Sequence, residues 1–242
     1  MVRGEEHLLI KVSSKPVFNF LVNPDESFFA IQTLEAYKKL SALQEVLIAV
    51  WRAPAGLVVI MRDLEPLGYT DLCPESTRAS TSDLWKHFMK LARSQLIPLA
   101  HANVIHPDIR VGYDYTANIM AKQDGRDMVL VDFESLVEVS GYNFPHGDKH
   151  SRYLPETTNA FAFVCLQCYA VAVFWSKQLY QLVEDEEIQA YSVVGGLAYT
   201  LAEKDVVGEA DVVRLLDEID LQLENSGGLD DEKLEKLLLE NN

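Results

Sequence analysis

Short apolar runs come first along this chain and helical spacings come later. His7 to Val12 reads as one strand and Val17 to Val22 as another, with Ser13-Ser14-Lys15-Pro16 as the turn between them. Asn23-Pro24-Asp25 then opens a helix over about 26–43, where Phe28, Ile31, Leu34, Leu40 and Leu43 recur at helical spacing. Val46 to Val50 and Leu57 to Met61 flank Ala53-Pro54-Ala55-Gly56, the pattern of a hairpin. Turn chemistry from Arg62 to Gly68 marks a boundary between lobes.

Beyond that boundary the period changes. Leu84, Phe88, Leu91, Leu96 and Leu99 predict a helix from Thr81 to about Ala102, capped by Thr81 or Ser82 with Asp83 in its first turn. Pro98 ends that helix or kinks its last turns. Ser140 to Pro155 has loop composition, and Thr157 or Thr158 opens an apolar helix through Trp175. Further helices are expected over about 184–201, broken at Gly195-Gly196, over 209–223, and over 230–239 after a Gly227-Gly228 break. Leu221 to Leu239 is expected to pack on the other helices. Strands followed by helices make an α+β fold, with a sheet-bearing lobe at 1–66 and a larger helical lobe at 67–242.

Between the two apolar helices lies the stretch that carries chemistry. Val104 to Arg110 reads Val-Ile-His-Pro-Asp-Ile-Arg, Asn118-Ile119-Met120 follows, and Met128 to Phe133 is an apolar run that delivers Asp132 near its end. Asp108, Asn118 and Asp132 thus appear in an order that phosphoryl transfer uses. The first carboxylate can orient or deprotonate a hydroxyl, and the other two side chains offer hard oxygen ligands for magnesium on a nucleotide. His106 reads as a residue that holds this loop through hydrogen bonds. Arg110 either clamps a phosphate through its planar fork or pairs with Asp108 and Asp132.

Composition narrows the classes. A formal net charge of -16 excludes general affinity for nucleic-acid phosphates and reads as a solvated acidic surface. Cys73, Cys165 and Cys168 make no disulfide framework. Cys165 and Cys168 lie three apart in an apolar segment and read as small buried hydrophobes. The apolar run from Ala160 to Trp175 contains Gln167 and is shorter than the ~20 residues of a membrane span. No leader segment is recognised, so an intracellular protein, in the cytoplasm or the nucleus, is expected. His146, Asp148 and His150 read as polar loop residues. Tyr142, Thr157 and Thr158 are open to phosphorylation or simply face solvent.

Residues from Gly4 to about Trp175 resemble the protein kinase-like superfamily, especially the divergent kinase-like proteins of fungi and other eukaryotic microbes. His106-Pro107-Asp108-Ile109-Arg110 looks like the family's His-Arg-Asp-Leu-Lys segment, and Val131-Asp132-Phe133-Glu134 like Asp-Phe-Gly. The resemblance implies Asp108 as the catalytic carboxylate, with Arg110 beside it, and Asn118 and Asp132 as magnesium ligands. Lys11, in Leu8 to Val12, would pair the ATP phosphates, braced by Glu35. Backbone groups of the hinge around Arg62, Asp63 and Leu64 would hold the adenine ring. Leu154-Pro155-Glu156 looks like the family's Ala-Pro-Glu, with Asn159 where the following helix often offers an aspartate.

Three departures accompany it. Nine residues separate Asp108 from Asn118 where the family has four, Glu134 replaces glycine, and no glycine-rich loop precedes Lys11. The implied activity is transfer of the ATP γ-phosphoryl group to a protein or small-molecule hydroxyl. The alternative is a catalytically inactive pseudokinase that serves as an interaction or regulatory module.

Overall fold

The computed structural model describes residues 8–12, 43, 46–53, 56–73, 79–111, 116–122, 124–133, 136–139, 159–177, 188–189, 200–201 and 206–239. Within them the fold is α+β, small antiparallel sheets against a set of helices. The expected strand at Val17 to Val22, the loop over 140–155 and all but Leu43 of the helix over 26–43 lie outside the described residues.

The first sheet has the order β1-β3-β2, with β1 at Leu8–Val12, β2 at Leu47–Ala53 and β3 at Gly56–Arg62. β2 and β3 form the expected hairpin, closing at Ala53 opposite Gly56. The Arg62 N–H bonds the Val46 carbonyl at 2.9 Å, and a tight 3-10 turn at Glu65–Leu67 follows. Gly68 ends that turn at φ 84°, a conformation without steric cost only for glycine. The chain then re-enters a sheet, at β4 (Tyr69–Leu72), which the pattern of apolar positions did not announce.

β4 belongs to a second sheet built around β7 (Thr116–Lys122). Its order is β10-β6-β7-β4, with β6 at Arg110–Val111 and β10 at Ile188–Gln189, and β8 (Val129–Leu130) also pairs with β7. Ile188–Gln189 is therefore strand, not part of the expected helix over 184–201, because these two residues pair with Val111 and Arg110. β5 (Val104–Ile105) and β9 (Val137–Glu138) form a separate two-stranded ladder.

Helix α1 spans Thr81–Leu91. Its cap is Ser80, one residue before the expected Thr81 or Ser82: the Ser80 hydroxyl accepts the Asp83 N–H at 3.1 Å and donates to the Asp83 carboxylate at 2.6 Å. A π turn at Ala92–Leu96 leads into α2, Ile97–His101. The Ile97 N–H reaches back to the Ala92 carbonyl, so the helix has already widened where Pro98 contributes no donor. The widened turn buries Gln95, whose Oε1 accepts the Leu130 N–H at 2.9 Å. β8 lies at a sheet edge. Its Val131 neighbour bonds toward β7, so the Leu130 N–H faces away and Gln95 satisfies it.

Helix α3, Ala160–Lys177, is apolar on every face and runs through the core. Asn159 caps it, its Oδ1 accepting the Ala162 N–H at 2.8 Å, which moves the start past the expected Thr157 or Thr158. Cys165 and Cys168 are buried here, and burial pushes the Cys168 thiol well above its usual range, the behaviour of an inert hydrophobe. Among the described residues no helix is long and apolar enough to cross a membrane.

Helices α4 (Glu209–Ser226) and α5 (Asp231–Leu239) form a helical hairpin. Gly227 at φ 68° ends the first, and Asp230 caps the second through the Lys233 N–H. Leu223, Leu234 and Leu238 are buried, so this region packs on the other helices as expected.

Aromatic rings join the layers. Phe88 of α1 stands 5.4 Å from Trp85 and 5.7 Å from Trp175 of α3, the latter edge to face. The Trp85 indole donates to the Leu216 carbonyl of α4, and the Trp175 indole to the Thr116 hydroxyl of β7, each at 3.4 Å.

Gln95→Met preserves volume but leaves the Leu130 N–H without an acceptor in a dry environment. The expected loss is ~1–3 kcal/mol. It would appear as a lower urea midpoint at unchanged slope, and an unchanged midpoint would show that the Gln95 bond contributes no net stability.

Candidate functional site

The site is assembled by two loops and one irregular strand. Asn103 turns the chain at φ 57° into β5, which leads directly into His106-Pro107-Asp108-Ile109. His106, Pro107 and Ile109 are buried, while Asp108 stays partly exposed, so the loop is anchored on both sides of its carboxylate.

The hairpin of β6 and β7 explains how Asn118 reaches Asp108 across nine intervening residues. Arg110 pairs with Ala117 and Val111 with Thr116. Continuing that register by one residue sets Asn118 opposite Ile109, beside Asp108. The pairing of β6 with β7 thus brings the chain back beside the His106 to Ile109 segment.

Asn118 also occupies the break in β7. On one side β7 exchanges β6 for β8, and on the other its pairing with β4 jumps from Leu72 opposite Thr116 to Asp71 opposite Met120. Asn118 adopts φ 65°, which asparagine tolerates better than most residues. The bulge re-aims its side chain: the amide donates to the Asp108 backbone carbonyl and, at 3.1 Å, to Asp108 Oδ2. With Nδ2 committed to Asp108, Oδ1 is the side-chain atom with the chemistry to meet a cation.

Asp132 lies two residues beyond β8, with φ 61°. After this left-handed residue Phe133 enters the core, 1% exposed, while Asp132 stays partly exposed. Its position relative to the other two residues is set by backbone bonds. The Val131 N–H donates to the Asn118 carbonyl at 3.0 Å, and the Val131 carbonyl meets His106 Nε2 at 2.9 Å.

That contact defines the state of His106. A carbonyl can only accept, so Nε2 carries the proton. Burial pushes the imidazole below its usual range, outweighing the Val131 bond and the nearby charges of Asp132 and Asp108, which act in the opposite direction. His106 is thus a neutral structural donor inside the protein, as its place in the sequence suggested. Gln167 of α3 donates to the His106 carbonyl at 2.7 Å.

The structure therefore bonds Asn118 directly to Asp108 and ties both segments to Val131, the residue before Asp132. Lys11 lies on β1 opposite Val59, and Arg110 on β6, but their side chains, like Glu35 and Glu134 altogether, lie outside the described residues. Arg62, Asp63 and Leu64 build the turn between the two sheets. Asp63 Oδ1 accepts the Glu65 N–H at 3.3 Å, and the Leu64 carbonyl accepts both Leu67 N–H at 3.0 Å and Tyr69 N–H at 3.1 Å. The Leu64 carbonyl is thereby occupied within the turn. His146, Asp148, His150, Tyr142, Glu156, Thr157 and Thr158 also lie outside the described residues. Among those described, no group of three or more His, Cys, Asp or Glu side chains is placed to hold a metal; the oxygen set here includes an asparagine.

Two residues of the site's support, Gln95 and Gln167, were not singled out as functional by sequence reasoning. The available signal was polar character within an otherwise apolar helical pattern.

Comparison with known proteins adds no assignment: neither a protein-family model nor a curated protein matches this sequence.

The neutral state of His106 predicts a pH dependence. Its folded pKa is depressed below that of the unfolded chain, so the unfolded state binds the extra proton. Stability is retained above the ordinary histidine value of about 6.5 and lost as pH falls through it. Urea midpoints between pH 7.5 and 5.5 should fall in the wild type and fall less steeply in His106→Phe. Equal slopes would show that His106 is not held neutral.

Proposed function

We propose that this chain is a divergent kinase-like phosphotransferase that binds magnesium-ATP between the small sheet and the helical region. One observation carries this reading. Asn118 bonds the Asp108 carbonyl and carboxylate with its side chain, and holds the residue before Asp132 with its backbone. A single residue thereby couples a carboxylate suited to an acceptor hydroxyl with a carboxylate suited to a metal.

Asp108 orients the acceptor hydroxyl and takes its proton as the new oxygen–phosphorus bond forms and the bond from the γ-phosphorus to the bridging oxygen breaks, releasing ADP. Asn118 Oδ1 and the Asp132 carboxylate are the groups that would hold magnesium. The metal, when bound, supplies charge neutralisation on the phosphate oxygens. Lys11, braced by Glu35, and Arg110 are assigned to the phosphates by their order in the chain. Catalysis on this plan is mainly positioning and electrostatic stabilisation. Left-handed backbone at both Asn118 and Asp132 supports it, since such conformations concentrate where geometry serves chemistry. The acceptor is a hydroxyl of a protein or of a small molecule.

Titration calorimetry with ATP, with and without magnesium, tests the reading. The wild type should bind only with magnesium, and Asp132→Asn should lose that binding. Asp108→Asn should keep the nucleotide and lose turnover by ~10²-fold or more. Binding unaltered in Asp132→Asn would remove the metal assignment. Wild-type binding without turnover on any acceptor would favour the pseudokinase reading, to which Glu134 in place of glycine also points.

A further inference from the structure

We propose that Gln167, at the centre of the core helix α3, is a positioning residue that holds the His106 loop and so sets the relation of Asp108 to Asp132. Its consequence for nucleotide rests on the phosphotransfer reading above; the geometric role does not.

The argument begins with an anomaly of burial. From Ala162 to Trp175 every residue of α3 is buried, and Gln167, fully buried, is the single amide among them. An apolar residue would suit the surroundings better, because a primary amide taken from water needs partners at both ends. Gln167 has a partner at one end only. Its Nε2 donates to the His106 carbonyl at 2.7 Å, while its buried Oε1 has no hydrogen-bond partner among the described residues.

Methionine at this position would remove the orphaned Oε1 and orphan the His106 carbonyl instead. One unmet acceptor would replace another at nearly constant volume. Fold stability alone therefore gives little reason for glutamine here. What glutamine adds is a direction: it fixes the peptide that follows His106, the one that leads into Pro107 and Asp108.

The bonds continue from that peptide without a gap. The His106 ring donates to the Val131 carbonyl, the Val131 N–H donates to the Asn118 carbonyl, and the Asn118 amide donates to Asp108. Each link shares a residue with the next. Gln167 ties the His106 end of this series to the rigid interior, as Gln95 ties the strand before Val131 through the Leu130 N–H. The buried side chains of Ile109, Ile119 and Phe133 fix depth but not direction.

Two readouts on the full chain test the proposal, comparing wild type, Gln167→Met and the α3 control Val171→Ala, which removes buried volume one turn along the same helix and leaves the groups of this bond in place. The first is magnesium-dependent ATP affinity. The second is the NMR signal of the His106 Nε2–H, which reports the bond to Val131 without requiring any activity. Expected in Gln167→Met is a melting temperature no lower than that of Val171→Ala. Affinity should weaken at least tenfold, and the His106 proton should exchange faster or vanish. Val171→Ala should keep affinity within about twofold and keep the His106 signal.

Wild-type affinity in Gln167→Met would overturn the proposal whatever the His106 signal does. Weakened affinity with an intact His106 signal would also overturn it, since the effect would not run through this loop. If the wild type binds no nucleotide, the phosphotransfer reading falls on its own. The His106 signal then decides alone: loss in Gln167→Met upholds the positioning role, and retention overturns it.

Discussion

The hydrogen bond from the buried His106 ring to the Val131 carbonyl is the constraint on which the site depends. It joins segments 25 residues apart in sequence, with the imidazole fully inside the protein and Val131 partly buried. Because the ring is neutral, the bond adds direction without the desolvation cost of a buried charge. Asp108 and Asp132 can then remain near solvent while the segments that carry them are held from beneath.

That arrangement separates two tasks that a small site must perform together. The partly exposed carboxylates stay near solvent, and buried side-chain amides and the His106 ring supply the geometry. Gln95 reaches β8 from the π turn of one helix, and Gln167 reaches the His106 carbonyl from another. The helices are themselves locked by Trp85, Phe88 and Trp175, so a displacement at the site requires movement of well-packed aromatic rings. Dispersion and apolar burial thus supply rigidity, while a few hydrogen bonds transmit it to the chemistry.

The surface follows a different logic. Lys86 of α1 pairs with Glu224 of α4, and Arg93 of the π turn with Asp217 of α4. These residues are substantially exposed, so their pairs contribute little stability in water and are better read as alignment between two helices. The Trp85 indole bond to Leu216 lies beneath them and is buried. The order of importance runs from ring packing to buried hydrogen bonds to surface charge, and the net charge of -16 belongs to the last of these.

How much was legible in the sequence depended on the range of the interactions involved. Helical periodicity located α1, α4 and α5, and apolar runs located β1, β2 and β3, because those signals are local and repeat over several residues. The succession of Asp108, Asn118 and Asp132 was equally legible as chemistry. β4 and β10 were not, since a strand of two to four residues exists only through its partner: Ile188–Gln189 read as helix until β6 was alongside it. Caps shifted to Ser80 and Asn159 because several polar neighbours could serve and only backbone geometry selects one.

By itself, then, the sequence determined the α+β order of elements and the oxygen-bearing groups available to a site. Tertiary structure decided that a hairpin returns Asn118 to Asp108, that a bulge aims it there, and that two buried glutamines hold the loops. Those decisions rest on contacts between residues far apart in the chain, whose energies appear only when the surrounding core has excluded water.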